Sequence, residues 1–439
     1  MIRVCVIKDS MKLIRSSLAT AAVALAVSSA QGQETAPPSP ASGSAGTATA
    51  APAESHPMLS FEGTDLRLGN LPPVSFHGFA SQGFLVSGTY NYLGDTTAGS
   101  FRFSEFGLNA SMNPLPRTRI AAQGFSYCVG PTGDYDVLLD YGLAEYTFCD
   151  ELGIRAGRVR RQEGIYNDIV DLDMARTWVL LPQGMYPARW RDMYSTLDGG
   201  ELFGSVSLAK AGSLSYELYT GYQRPQLNGG LAAQKENMPP FSQLVAVNSP
   251  WLSGGQLWWE TPLTGLRLGA ALNYDKELTF WTANGNQTKG SPFVQHYSLE
   301  YLLKSWTFQA EYFTYAIDYD VTRNGAHVRS VHIEPDSWYV SAAYRFNRWF
   351  EAGAYYTEYW PDVRHRGGGD YVGANGGFPS DAHQRDIAVA LRFDPTPWWI
   401  LKIEGHAIQG TGQLYDTKAN PVREDRWWPM LALKTTFTF

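Results

Sequence analysis

From residue 74 to the end, apolar and polar positions alternate with a period of two in segments of roughly ten residues. Over 266 to 274, Leu266, Leu268, Ala270, Leu272 and Tyr274 share one parity, and Arg267, Gly269, Ala271 and Asn273 the other. Ile387, Val389, Leu391 and Phe393 alternate with Asp386 and Arg392, and Trp399, Leu401, Ile403 and Ala407 with Lys402, Glu404 and His406. Successive side chains of a strand point to opposite faces, so these segments predict strands with one apolar face. Charge recurs on the other face. A soluble sandwich would have to bury those charges in a packed core at a large desolvation cost. Lipid on one side and water on the other removes the conflict, because a midplane cation costs about 2–4 kcal/mol only on the lipid face.

The breaks between segments alternate in length. Short ones fall at 113–116, 149–151, 210–212, 261–264, 304–305, 347–348 and 394–397; longer ones at 87–98, 128–134, 162–197, 223–252, 276–291, 318–335, 360–383 and 410–426. Seven short turns and eight longer loops predict an all-β fold, a transmembrane antiparallel barrel of 16 strands over 73–439, with both ends on the short-turn side. Outer-membrane barrels put short turns in the periplasm and long loops outside. The last segment fits: Leu431, Leu433, Phe437 and Phe439 alternate with Met430, Ala432, Lys434, Thr436 and Thr438. A terminal Phe with aromatics at alternate positions resembles the closing strand by which the barrel assembly machinery recognises its substrates. Barrels of 16 to 18 strands are wide enough for an aqueous channel.

Ahead of the strands, Lys12 and Arg15, the apolar run 18–27 and Ser28-Ser29-Ala30 have the layout of a cleavable signal peptide over 1–32, with Met11 the better start. Its apolar run is shorter than the ~20 residues of a spanning helix. Residues 33–72 open with a Pro/Ala/Ser-rich stretch and are expected to be a periplasmic linker. From Pro57 on, 31 Lys+Arg face 39 Asp+Glu, and an acidic chain is a poor match for nucleic acid. The aromatic share of 14%, on a chain slightly polar overall, suits aromatic girdles around a wet interior. Cys128 and Cys149 are placed at opposite ends of one strand, too far apart for a disulfide. Neither a G-x-S-x-G, H-E-x-x-H, P-loop nor C-x-x-C string is present, the histidines are scattered, and no catalytic residue, cofactor or metal is expected. His365 and His383 lie beside Asp370 and Asp381 in a loop, where solvation is the simpler reading.

Five strings, FHGFASQGF at 76–84, NYLG at 91–94, GSFRFSEFGLNAS at 99–111, GIRAGRVRRQEGIYND at 153–168 and LLPQGMYPARWRD at 180–192, resemble a group of proteobacterial porin-like outer-membrane proteins. The resemblance implies a general-porin barrel, a homotrimer, the lipid bilayer of the Gram-negative outer membrane, and passage of small hydrophilic solutes or ions. In chain order, the loop after the fifth strand, 162–197, corresponds to the loop that folds into the lumen of general porins. A long loop with Trp178, Leu180, Leu181, Met185, Tyr186 and Trp190 is usually functional and needs a wall to pack on. It carries Glu163, Asp168, Asp171, Asp173, Arg176, Arg189 and Arg191, and with Arg155, Arg160 and Arg161 on the adjoining strand end these are the expected constriction residues. Expected lumen-lining residues are Arg267, Glu311, Arg345, Glu351, Arg392, Lys402, Glu404 and Lys434. A small excess of acids on the inward parity points to a mild cation preference. Two alternatives stand beside this reading. Tyr355, Tyr339 and Trp258 could stack sugars in an oligosaccharide-selective channel; Asp171 and Asp173 could do acid-base work in an outer-membrane hydrolase.

Overall fold

The computed structural model describes residues 59–69, 71–236 and 242–439. The expected signal peptide lies outside the described residues, as does most of the expected linker. Strands β1 (Leu59–Glu62) and β2 (Asp65–Leu68) form a hairpin within it, and β2 pairs with the start of β3 (Val74–Ser87) through Asp65–Ser75 and Leu66–Val74.

The barrel begins with β3 and continues through β4 (Phe103–Met112), β5 (Thr118–Val129), β6 (Val137–Cys149) and β7 (Leu152–Arg160). After a long loop come β8 (Thr196–Ser207), β9 (Ser213–Gln223), β10 (Leu244–Glu260) and β11 (Leu266–Asp275). Two short strands, β12 (Leu278–Thr282) and β13 (Asn286–Gly290), precede β14 (Phe293–Leu303) and β15 (Trp306–Arg323). A further short strand, β16 (Ala326–Ile333), leads to β17 (Asp336–Asn347), β18 (Phe350–Trp360), β19 (Gln384–Thr396), β20 (Trp399–Gly410) and β21 (Trp427–Thr438). Every barrel pairing is antiparallel, and β21 returns to β3, from Met430–Ser87 to Thr438–Phe79. Sixteen strands close the barrel, with no free edge to recruit another chain. Among the described residues no helix is long and apolar enough to cross a membrane.

The two parities separate inside from outside. On β19 to β21, Val389, Ile403 and Leu431 are exposed on the outer wall, whereas Arg392, Lys402, Glu404 and Lys434 are buried within. A belt of exposed apolar side chains around a closed barrel belongs in lipid, and the chain is an outer-membrane protein. Cys128 ends β5 at the long-loop side and Cys149 ends β6 at the short-turn side; they lie on adjacent strands, not one, and form no disulfide.

Two predicted loops, 276–291 and 318–335, are partly strand. The β12–β13 hairpin bridges the upper ends of β10 and β15, and β16 adds to β15, so one sector of wall stands taller than the rest. The register gives a direct test. With the native cysteines replaced by serine, Arg267→Cys on the half-buried inner wall should react with a membrane-impermeant maleimide, and Leu272→Cys in lipid should not. The opposite pattern would mean a slip of one residue, which inverts every side chain.

Candidate functional site

Beyond β7 the chain turns into the barrel. Gly164 makes the turn with φ +74°, and a Cβ there would fall 2.3 Å from the Tyr186 hydroxyl and 2.4 Å from the His296 ring. At Gly184 a Cβ would fall 2.1 Å from Ser337 Oγ on β17. Both glycines let the loop press against its surroundings. The stem is closed by the Arg161 amide donating to the Ser195 carbonyl, 2.9 Å.

Apolar burial holds the loop inward. Ile165, Tyr166, Trp178, Leu181, Met185 and Tyr186 pack with Tyr339, Tyr355, Ala388 and Ala390 of the far wall. Val179 and Leu180 join a second cluster with Phe103, Phe125, Ile408 and Trp428. Each such side chain contributes about 1.5–3 kcal/mol over its exposed state.

Polar ties then fix position. Glu404 accepts the amides of Val179 (2.9 Å) and Leu180 (2.8 Å) and also meets His406 Nε2 at 3.0 Å. Lys402 Nζ donates to the carbonyls of Asp173 (2.7 Å) and Trp178 (3.0 Å). Arg392 Nη1 reaches the carbonyls of Met174 (2.8 Å) and Arg176 (3.1 Å), and Thr177 bonds to Glu351. On β15, Glu311 accepts from the Ile165 amide (2.9 Å), the hydroxyls of Tyr186 (2.6 Å), Tyr339 (2.7 Å) and Ser298 (2.6 Å), and meets His296 at 3.0 Å. The loop thus crosses the lumen from β7 to β15, β18, β19 and β20.

The expected constriction residues fall into separate groups. Asp171 lies against Arg160 (2.8 Å) and Arg191 (2.6 Å), and both arginines also pair with Asp140 on β6. Burial pushes the Asp171 carboxyl up, but these guanidinium groups outweigh it and hold it well below the usual carboxylate range. Asp173 meets Arg176 (3.1 Å), Lys434 (2.9 Å) and Lys402 (3.6 Å), and Thr436 Oγ1 donates to it at 2.6 Å. Arg161 pairs with Glu163 at 3.1 Å. The carbonyl of Asp168 accepts from Arg160 at 2.9 Å, while burial pushes its carboxyl up. Arg155 lies on the β7 wall with Glu145 (2.6 Å) and Glu201 (2.7 Å). Arg189 is buried and, among the described residues, has no ion pair. These charges therefore do not face each other across an open gap: most neutralise a neighbour within hydrogen-bond distance, and Arg189 is the exception.

The lumen-lining set also lies on the inward parity, but not all of it is wetted. Glu404, Lys402, Lys434, Glu311 and Arg392 are covered by the loop. Ion pairs and loop amides, rather than the water expected from the pattern, compensate their burial there. Arg267 (with Glu300, 2.8 Å), Arg345 and Glu351 (3.0 Å apart) remain half-open. The aromatics expected to stack solutes are engaged elsewhere. Tyr339 bonds to Glu311, Tyr355 lies edge-on to Trp178 with ring centres 5.2 Å apart, and Trp258 carries Arg267 over its face at 4.4 Å. Sequence reading omitted His296, His406, Thr177 and Thr436 from the site; inward parity beside acids was the available signal for the two histidines.

No protein-family model and no curated protein matches the sequence. Solved structures do match in shape. An anion-selective porin from Comamonas acidovorans aligns with TM-score 0.51 at 9% identity, over 83% of this chain and 99% of its own. The outer membrane channel DcaP of Acinetobacter baumannii aligns at 0.51 and 8% identity over 84% and 97%, and OprB of Pseudomonas putida at 0.51 and 10% over 83% and 94%. The fold is that of the outer-membrane porins. Within this fold, the loop after the fifth barrel strand is fastened to the inner wall on β15, β18, β19 and β20.

Proposed function

We propose that the barrel is a porin for passive diffusion of small hydrophilic solutes or ions, narrowed by the loop that follows β7. The observation that carries the reading is the way charged inner walls are bridged by a loop fastened at many points, leaving half-open acidic and basic side chains such as Arg155, Glu217, Arg267 and Arg345 between the loop and the short-turn side. A fixed constriction with charged lining selects by size and field rather than by chemistry. Three copies side by side would follow the porin pattern.

An oligosaccharide-selective channel has less support, because Tyr339, Tyr355 and Trp258 are occupied by the loop and by Arg267. Nor does the geometry favour a hydrolase. Asp171 and Asp173 are ionised partners of buried cations, and a general acid or base needs a free proton site near the working pH.

Purified protein in a planar bilayer should give ohmic single-channel steps in KCl, with a reversal potential in a salt gradient showing mild cation preference. Absence of conductance from correctly folded barrels would refute the reading. Clear anion preference would leave the pore intact but assign control of the field to the arginines.

A further inference from the structure

Arg189 differs from the other cations of the loop. It sits in the turn Ala188–Trp190 and is 5% exposed, yet among the described residues it has no ion pair, and its Nε and Nη2 are buried with no hydrogen-bond partner. Those two atoms form one edge of the guanidinium. The same edge holds a carboxylate side-on elsewhere in this protein: Arg158 Nε and Nη2 hold Asp198 at 2.6 and 3.0 Å, Arg191 Nε and Nη2 hold Asp171 at 2.8 and 2.6 Å, and Arg364 Nε and Nη2 hold Asp362 at 3.2 and 3.4 Å. On Arg189 this fork is vacant. A buried guanidinium without acceptors is disfavoured, and burial indeed pushes its pKa down.

Its surroundings lie toward the long-loop mouth and are rich in phenols. The titratable groups that reach Arg189 are Asp416, Tyr415 and Tyr92. Asp416 does not fill the fork: among the described residues Arg189 Nε and Nη2 have no hydrogen-bond partner, and the Asp416 Oδ1 accepts the amides of Lys418 (3.1 Å) and Ala419 (2.9 Å) in its own turn. Tyr415 meets Trp190 edge-on with ring centres 5.9 Å apart, and its hydroxyl lies within reach of Tyr359. Both rings of that pair are half-exposed, and the Trp190 indole N–H is likewise unpartnered.

We propose that Arg189, with Trp190, Tyr415 and Tyr92 around it, is a binding site for a small aromatic carboxylate at the long-loop side of the lumen. The carboxylate takes the side-on fork that Asp198 and Asp171 take on the neighbouring arginines. The ring enters among the phenols, whose edge-to-face contacts suit a flat apolar body. Because the fork is buried in this conformation, entry requires the side chains around it to move. As a step in permeation the site rests on the channel reading; as a binding site it does not.

The test is calorimetric titration of the full barrel in detergent with sodium benzoate, against benzamide as the uncharged isostere. Benzoate should bind and benzamide should not. Arg189→Gln should weaken benzoate binding at least tenfold. Arg189→Lys, which keeps the charge and loses the planar fork, should weaken it as well, and Tyr415→Ala provides an independent variant should the Arg189 substitutions not fold. No benzoate binding by the wild type, equal binding of benzamide, or unchanged affinity in folded Arg189→Gln would each overturn the proposal. Bilayer recording of the same samples separates the two readings: benzoate binding without conductance refutes the channel and leaves the site, whereas conductance without benzoate binding refutes the site and leaves the channel.

Discussion

Excising residues 163 to 193 and joining the ends with a short Gly-Ser linker is expected to raise single-channel conductance several-fold, with the barrel still folded. The cut suits the structure, because the stem is already closed by the Arg161–Ser195 hydrogen bond and β7 and β8 are paired up to Arg160–Thr196. Deletion removes the apolar side chains that pack on the far wall, which lowers stability. It also returns water to Glu404, Lys402, Glu311 and Lys434, which offsets part of that loss, since a charge in a wet lumen needs no buried partner. Circular dichroism and heat-resistant migration would report the fold, and planar-bilayer recording the pore. A folded deletion with unchanged conductance would place the narrowest section elsewhere and remove the loop from the proposed mechanism.

Asp173→Asn is the single substitution with the largest expected effect. The carboxylate faces Lys434, Lys402 and Arg176, and neutralising it leaves buried cations with too little compensation, a change that typically costs about 3–5 kcal/mol. The loop segment around 173–180 should loosen, seen as faster amide exchange at Val179 and Leu180, and the reversal potential should move toward anions. The pH dependence carries the same sign. Burial pushes the Asp173 carboxyl up, but Lys434, Lys402 and Arg176 prevail and hold it well below the usual carboxylate range. A depressed folded-state pKa contributes stability that is complete above the unfolded value, about 4, and is lost only as pH falls through the folded value. Amide exchange at Val179 and Leu180 of the wild type should therefore be unaffected by titration of Asp173 from pH 7 to about 4, while the substituted protein at neutral pH shows the loosened segment that the wild type shows only in strong acid. Native-like exchange and selectivity in Asp173→Asn would show that the cluster is not a clamp.

The fold was legible because lipid leaves no room for compromise. Leu401, Ile403 and Val389 could be assigned outward, and Lys402, Glu404 and Arg392 inward, from parity alone, since a cation in the bilayer has no alternative partner. Turn and loop lengths supplied the rest of the topology. Local pattern carried less information where the chain left the membrane. The β12–β13 hairpin and β16 are too short or too irregular in polarity to read as strands in the sequence, and only pairing with β10 and β15 makes them strands. The site was legible in composition but not in pairing: Asp173 finds Thr436 and Lys434 more than 260 positions along the chain, and nothing nearby in sequence distinguishes Arg191, which has two acidic partners, from Arg189, which has none. Tyr339 and Tyr355 were correctly on the inner parity, yet the loop, not solvent, meets them.

The reach of those ties also sets an order of events during assembly. The loop is synthesised between the fifth and sixth barrel strands, but Asp173 is fastened by Thr436 and Lys434 on the sixteenth, so its seat is incomplete until the last strand is in place. A nascent barrel still waiting for its last strand leaves Asp173 without these two partners and Leu180 without the cover of Trp428. Contacts of such sequence separation form late, because the closure entropy of the intervening chain must be overcome first. Sealing of the wall thus also completes the clamp on Asp173.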